Sequence, residues 1–371
     1  MKQDAHYYGV LAFSRAAGFK TDIAAQIAYA SQHVDDARVN YIQFENDPEA
    51  LDHTLIKGKP GFFGMSTCHC YLKVKTFNYS AMIYNTVAFH FVPGGKGSNF
   101  VKKMRCQEDN RVINLIMQDA LQEDDPVILG VCLHPYADTF SHQGFSGLMS
   151  KVNDIKKIQL YSHYYKVLPF KLVILIQKVF RRNFDKHFDK FMPAYGHGQA
   201  LSYPDLPFLK WSYEFDYTDE FSEDYRNTGL INNPERFQRC FDRIRTFLQD
   251  YLERHPQYRD NCLEFNDYEL LFRALTARYG NIKRNKDWQK ILVKLGLLPV
   301  DHPAITYNEF RWTQEAFADF SIKKYKQRMV EQARLHDNFC TSNWYRFYKA
   351  VKWYKERFFK YCSQEGIEIN Q

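Results

Sequence analysis

The chain has 371 residues, 45% hydrophobic and 25% charged, which is enough apolar material for one large packed unit or two modest ones and excludes both a disordered chain and a polytopic membrane protein. Fifty basic against 43 acidic residues leave a formal charge of +7; this mild excess suits an anionic small molecule and does not by itself establish nucleic-acid binding. The 31 Phe and 26 Tyr are too many for a soluble surface and are assigned first to helix interfaces.

A first helix is expected from residue 6 to about 17, closed by Gly18, because glycine readily takes the left-handed turn that ends helices. A second runs from 21 to 36, with Thr21 and Asp22 able to cap it and Ile23, Ile27, Ala28, Ser31 and Val34 forming its periodic stripe. Asp35 and Asp36 then fall in its last turn, where the helix end is already partly negative, and a nearby cation would relieve that conflict. Residues 44 to 100 read as irregular, with β-prone stretches at 70–75 and 87–92. Helical patterns return at 107–122 and at 126–142, the latter opened by Asp124, Asp125 and a first-turn Pro126. Another helical stretch runs to about 190, followed by a Gly- and Pro-rich loop over 192–207. Beyond 230 the pattern gives amphipathic helices at 233–254, 266–280, 285–295, 307–335 and 340–363. The expected fold is mainly α, a multi-helix bundle with a small β-ribbon or extended lobe near residues 68–92. Residues 1–215 would form a metal-binding helical domain and 216–371 a C-terminal helical region, separate or part of the same domain.

The N-terminus lacks the charged start and apolar stretch of a secretory signal, so a cytoplasmic protein is expected. Eight cysteines without a CxxC pair point to reduced, mainly buried thiols, and neighbouring side chains in Cys68-His69-Cys70 make a poor solitary chelate. The longest apolar run, 167–176, is broken by Pro169 and Lys171 and falls short of the roughly 20 residues a transmembrane helix needs. Peripheral membrane contact stays open through its basic flank, Lys178, Arg181 and Arg182. The basic, aromatic stretch 323–360 reads first as an amphipathic helix with Lys and Arg stems lying along it; a nucleic-acid backbone or membrane surface is its alternative partner.

The sharpest chemical signal is His134, Asp138 and His142, spaced by four. On a helix the three share one face, each about 6 Å above the last, so the two histidines are too far apart to hold one ion and Asp138 can reach toward either. The spacing alone also fits an ordinary His–Asp hydrogen-bond pair. Placement adds to it: ten of 13 histidines lie at or before residue 197, including His6, His33 beside Asp35 and Asp36, His90 in an apolar stretch, and His197 between two glycines. Asp35, on the inward face, is preferred to Asp36 as a ligand. Gly94-Gly95-Lys96-Gly97-Ser98 lacks the first glycine of a phosphate loop, and no serine elbow or dinucleotide fingerprint appears.

The ordered set His6, Asp35, His134, Asp138, His142 and His197 resembles the ligand order of the zinc-dependent phospholipase C and fungal zinc-nuclease superfamily. The segments 3–8, 28–36, 89–94 and 138–145 are more similar still to an uncharacterised bacterial family, over roughly residues 1–215. The superfamily resemblance implies Asp35, His134 and Asp138 on one metal, Asp138 touching a second ion helped by His6, and His142 and His197 as later ligands. The sequence departs from that pattern by having Met1 where the superfamily has a tryptophan whose amino group binds metal, and by lacking a Glu one turn after His197. With His90 added from the residue reading, the expected cofactor is a divalent metal, zinc first, with iron or manganese as alternatives. The expected function is a metal-dependent hydrolase of a phosphate ester, with Asp36 or Asp205 orienting the metal-activated water. An iron-dependent helical oxygenase and a non-catalytic interaction protein with a structural metal are the competing readings.

Overall fold

The first helical segment opens as a π-helical turn, Asp4–Gly9, and continues as the α-helix Val10–Ala16 (α1) until Gly18, at φ +103°, turns the chain. Thr21–Asp36 (α2) follows. The computed structural model describes residues 1–46, 51–69, 79–97, 99–161, 194–215 and 227–369. Strands β1 (Tyr41–Phe44), β2 (Thr54–Ile56) and β3 (Lys59–Phe63) come next, then a helical segment that ends at His90, and α3 (Arg111–Ala120). Helix α4 (Pro126–Ser141) starts where Asp125 accepts the Val127 N–H and Pro126 occupies the first turn; it runs through Pro135 without interruption. Strands β4 (Ile155–Leu160), β5 (Lys210–Phe215) and β6 (Asn227–Asn232) lead into α5 (Asn233–Arg254), α6 (Tyr268–Leu275) and α7 (Asn281–Lys294). Strand β7 (Met329–Ala333) and α8 (Asn343–Gln364) complete the order.

The expectation of a mainly helical bundle is corrected here. With 53% helix and 13% strand, the fold is mixed, and the described strands form two sheets, of four and three strands, neither of which uses residues 79–92. One sheet has the order β2-β3-β1-β7, in which β1 pairs antiparallel with β3 and parallel with β7; the other is the antiparallel β4-β5-β6. Residues 87–92 read as a strand because they are β-prone and apolar except for His90. Residues 87–92 are in fact buried on every side, and 87–90 close a helix, a setting in which periodicity cannot separate helix from strand. The continuous helix expected over 307–335 is instead two short helices followed by β7, which is drawn into register with β1 nearly 300 residues earlier. The stretch 70–75 and the apolar run 167–176 lie outside the described residues.

A large apolar cluster gathers side chains from Met1 to Ile367 across α1–α8. The alternation in β5 sends Trp211, Tyr213 and Phe215 into a second, smaller cluster with Phe91 and Phe145. Helix α8 packs by the stripe Trp344, Phe347, Val351, Tyr354 and Phe358, with Lys349, Lys352 and Lys360 outward, which accounts for much of the basic aromatic composition of this stretch. His90 sits between Phe89, in the large cluster, and Phe91, in the small one, so the seam between the two clusters is where polar side chains collect. No described helix is long and apolar enough to cross a membrane.

Candidate metal centre

Helices α2 and α4 fix the centre. They lie side by side at Gly130, where a Cβ would stand 2.7 Å from the Ala30 Cβ and closer still to the Ile27 carbonyl oxygen; only glycine permits this approach. One turn further along, the Ser31 carbonyl accepts the His134 Nδ1–H at 2.8 Å. Two turns beyond Ile27 on α2, Asp35 brings Oδ1 to 3.7 Å from His134 Nε2. Asp138 and His142 continue the α4 stripe. The π-helical turn delivers His6, whose ring stacks on His134 at 3.8 Å and whose Nε2 is 3.2 Å from Asp138 Oδ1. A second π-helical turn, Met82–Val87, immediately precedes His90. The loop after residue 193 brings His197 and Asp205, with Leu201 held at φ +55° so that its carbonyl accepts the His197 Nδ1–H at 2.7 Å.

Four histidines share one device. His134 donates to Ser31 O, His90 Nε2 to Thr67 O at 3.0 Å, His142 Nδ1 to His90 O at 2.7 Å, and His197 to Leu201 O. Each such bond places the ring proton on the outward nitrogen and aims the other nitrogen's lone pair inward. These lone pairs meet one another and the carboxylates. His90 Nδ1 and His134 Nε2 are 3.2 Å apart, His90 Nδ1 is 3.2 Å and His134 Nε2 3.4 Å from Asp138 Oδ2, and His142 Nε2 is 3.0 Å from Asp205 Oδ1. Between neutral rings none of these approaches is a hydrogen bond; each needs an extra ring proton or a cation between the lone pairs.

The electrostatics divide these options. Burial, reinforced by His134 and the terminal amino group, pushes His6 down to about 3, and burial holds His197 down to about 4, so both rings stay neutral at neutral pH. His90 moves upward, since Asp138 and Asp35 outweigh its burial. Burial opposes charge on Asp138 and Asp205 too, yet the surrounding histidines and the Met1 amino group hold both carboxyls below the usual range. Three groups of ligand atoms, each within 4.8 Å of one another, could hold a metal ion: His6, His134 and Asp138; Asp35, His90 and His134; His142, His197 and Asp205. All are buried except Asp35, whose side chain is 33% exposed, so solvent reaches the centre at that edge. The chain belongs to a family of unknown function, DUF6765. The family's model matches residues 1–362, so the likeness extends well past residue 215 and takes in the C-terminal helices. No curated protein and no solved structure matches the chain.

Of the residues singled out from sequence, His6, Asp35, His90, His134, Asp138, His142, His197 and Asp205 are brought together. Asp36 is not: it accepts from Tyr307 Oη at 2.8 Å and Gln32 Nε2 at 3.2 Å, and burial beside Asp35 pushes it up to about 6. Two groups not expected among the site residues also lie here: the Met1 amino group, noted only as a departure from the superfamily pattern, and His69. The Met1 amino nitrogen lies against Asp138 Oδ1 and 3.2 Å from Asp205 Oδ1. Burial lowers its pKa, but these carboxylates more than offset that and carry it to about 11. The His69 ring lies 5.8 Å from that of His90 and bonds Thr86 Oγ1 at 3.0 Å. Its only sequence signal was the Cys-His-Cys triplet set aside as a poor chelate.

Proposed function

We propose that the protein is a metal-dependent hydrolase of phosphate esters, with the ligand set His6, Asp35, His90, His134, Asp138, His142, His197 and Asp205. The observation that carries this reading is the row of carbonyl-pinned imidazoles whose inward nitrogens converge on three buried or half-buried carboxylates. Such outer bonds are the usual support of metal-ligating histidine, and the nitrogen–oxygen donor set suits zinc and also manganese or iron. A bound divalent cation supplies an acidified water and positive charge for phosphoryl oxygens.

The chain's own residues do the rest. Asp138 turns Oδ1 to His6 and Oδ2 to His90 and His134, which suits a bridging carboxylate. Asp205, first considered for orienting water, is assigned to the ligands with His142 and His197, while Asp36 is left to Tyr307. The half-exposed edge at Asp35 is where water and substrate enter. The test is elemental analysis of the purified full chain, together with turnover of bis(4-nitrophenyl) phosphate and 4-nitrophenyl phosphate. Stoichiometric zinc or manganese is expected, with turnover lost by about a hundredfold or more in a folded His134→Ala variant. Iron with oxygen consumption would replace this reading by the oxygenase one, and a metal-free protein inert toward both esters would leave only a binding role.

A further inference from the structure

Along α8, on the far side of the segment carrying Ser66 and Thr67, lies a groove of about 1130 Å3. It is separate from the metal centre. Asn40 Oδ1 accepts the Ser66 N–H at 3.2 Å on the groove side, while the Thr67 carbonyl turns to His90 on the other. Lys355 projects into the groove wall, where its Nζ donates to the Gly64 carbonyl at 2.7 Å and lies 5.6 Å from the Phe89 ring centre and 6.0 Å from that of Tyr84. Among the described residues no carboxylate comes within ion-pair distance of it.

The charged and titratable groups facing the groove are Asp52, His53, Arg328, Lys352, Glu356 and Lys360. Asp52 is already engaged by Lys352 at 2.8 Å, and Glu356 stands on the exposed flank of α8. With Lys355 included, four cationic side chains face two carboxylates. The rest of the wall sets large rings, Phe63, 67% exposed despite its size, with Tyr84 and Phe359, among small polar side chains such as Asn40, Ser80 and Asn85. A concave site with apolar surface and a few placed polar groups is the usual form of a small-molecule site, and here the buried group without a counter-ion is a cation.

We propose that this groove binds an organic anion, with its carboxylate, sulfonate or phosphate head on Lys355 and its apolar body against Phe63, Tyr84 and Phe359. Burial without a counter-ion draws the Lys355 amine down to about 7, a cost that an arriving anion removes. The proposal does not depend on the metal reading, and the probe is chosen to keep the two apart: 1-octanesulfonate, whose head coordinates divalent cations poorly. Isothermal titration into the full chain should give saturable one-to-one binding, weakened about tenfold or more by Lys355→Met and largely kept by Lys355→Arg. Phe63→Asp changes an exposed side chain, so the variant folds, and it should weaken binding to a similar degree by setting a negative charge at the mouth. No saturable binding to the parent chain, or undiminished affinity in either Lys355→Met or Phe63→Asp, overturns the proposal.

Discussion

Gly130→Ala is a change of one methyl group that tests how the fold holds the centre. In an unobstructed helix the substitution stabilises by roughly 0.5–1 kcal/mol, because glycine loses more backbone freedom on folding. Here the new Cβ would stand 2.7 Å from the Ala30 Cβ and 3.1 Å from the Ile27 carbonyl carbon, with the Ile27 oxygen nearer still. Backbone atoms cannot rotate aside, so α2 has to withdraw by about 1 Å to restore ordinary contact. Overpacking of this kind costs roughly 1–3 kcal/mol, leaving a net loss of up to about 2.5 kcal/mol after the helix gain. The same withdrawal carries the Ser31 carbonyl away from His134, now bonded at 2.8 Å, and moves Asp35, at 3.7 Å, farther from His134 Nε2. Loss of such an outer bond lowers metal affinity by about tenfold or more. Urea unfolding of metal-stripped protein reads the packing cost, and competitive zinc titration reads the second effect. A variant more stable than its parent, or one with unchanged zinc affinity, would refute the reasoning.

The buried pair Arg284–Asp4, at 2.7 Å, ties α7 to the turn that carries His6. Arg284→Met alone strands the Asp4 carboxylate and should cost about 3–5 kcal/mol, whereas Arg284→Met with Asp4→Leu should recover most of that loss in chemical denaturation. A double variant as unstable as the single one would show that the ion pair is not the cause. His33, buried against Tyr29, Trp312 and Phe347, is pushed by burial and then by Arg38 from 6.5 to about 3. The unfolded chain takes up this proton below pH 6.5 and the folded chain resists until about pH 3, so the stability His33 contributes is whole above 6.5 and lost as pH falls between those values. Replacing it by His33→Gln should flatten the acid limb of stability against pH by about 1.4 kcal/mol per unit; a limb of unchanged slope would show that His33 does not carry it.

The local signals in the chain were enough to place several helices. Helix α2 begins at Thr21 as expected, although Lys20 is its N-cap and no side chain caps it; Asp125-Pro126 starts α4, and α5 spans 233–254 as its pattern requires, because local signals and apolar stripes act within a few turns. The four-residue spacing of His134, Asp138 and His142 likewise puts one stripe of donors on one helix face, whatever surrounds it.

The sheets were not legible. Strands of three to six residues carry little pattern of their own, and β1 becomes a strand by pairing with β3 nearby and with β7 at the far end of the chain. The centre shows the same division. Residue type and spacing nominated the imidazoles and carboxylates, but the carbonyls of Ser31, Thr67, His90 and Leu201 carry no side-chain signature, and they decide which nitrogen of each ring faces inward. Asp35 and Asp36, adjacent in sequence at a helix end, part ways only because Tyr307 captures one and His134 lies beside the other. Helical caps and stripes are short-range and can be read from neighbouring residues. Strand partners, ring tautomers and the convergence of donors depend on contacts between residues distant in the chain, so tertiary packing alone decided them.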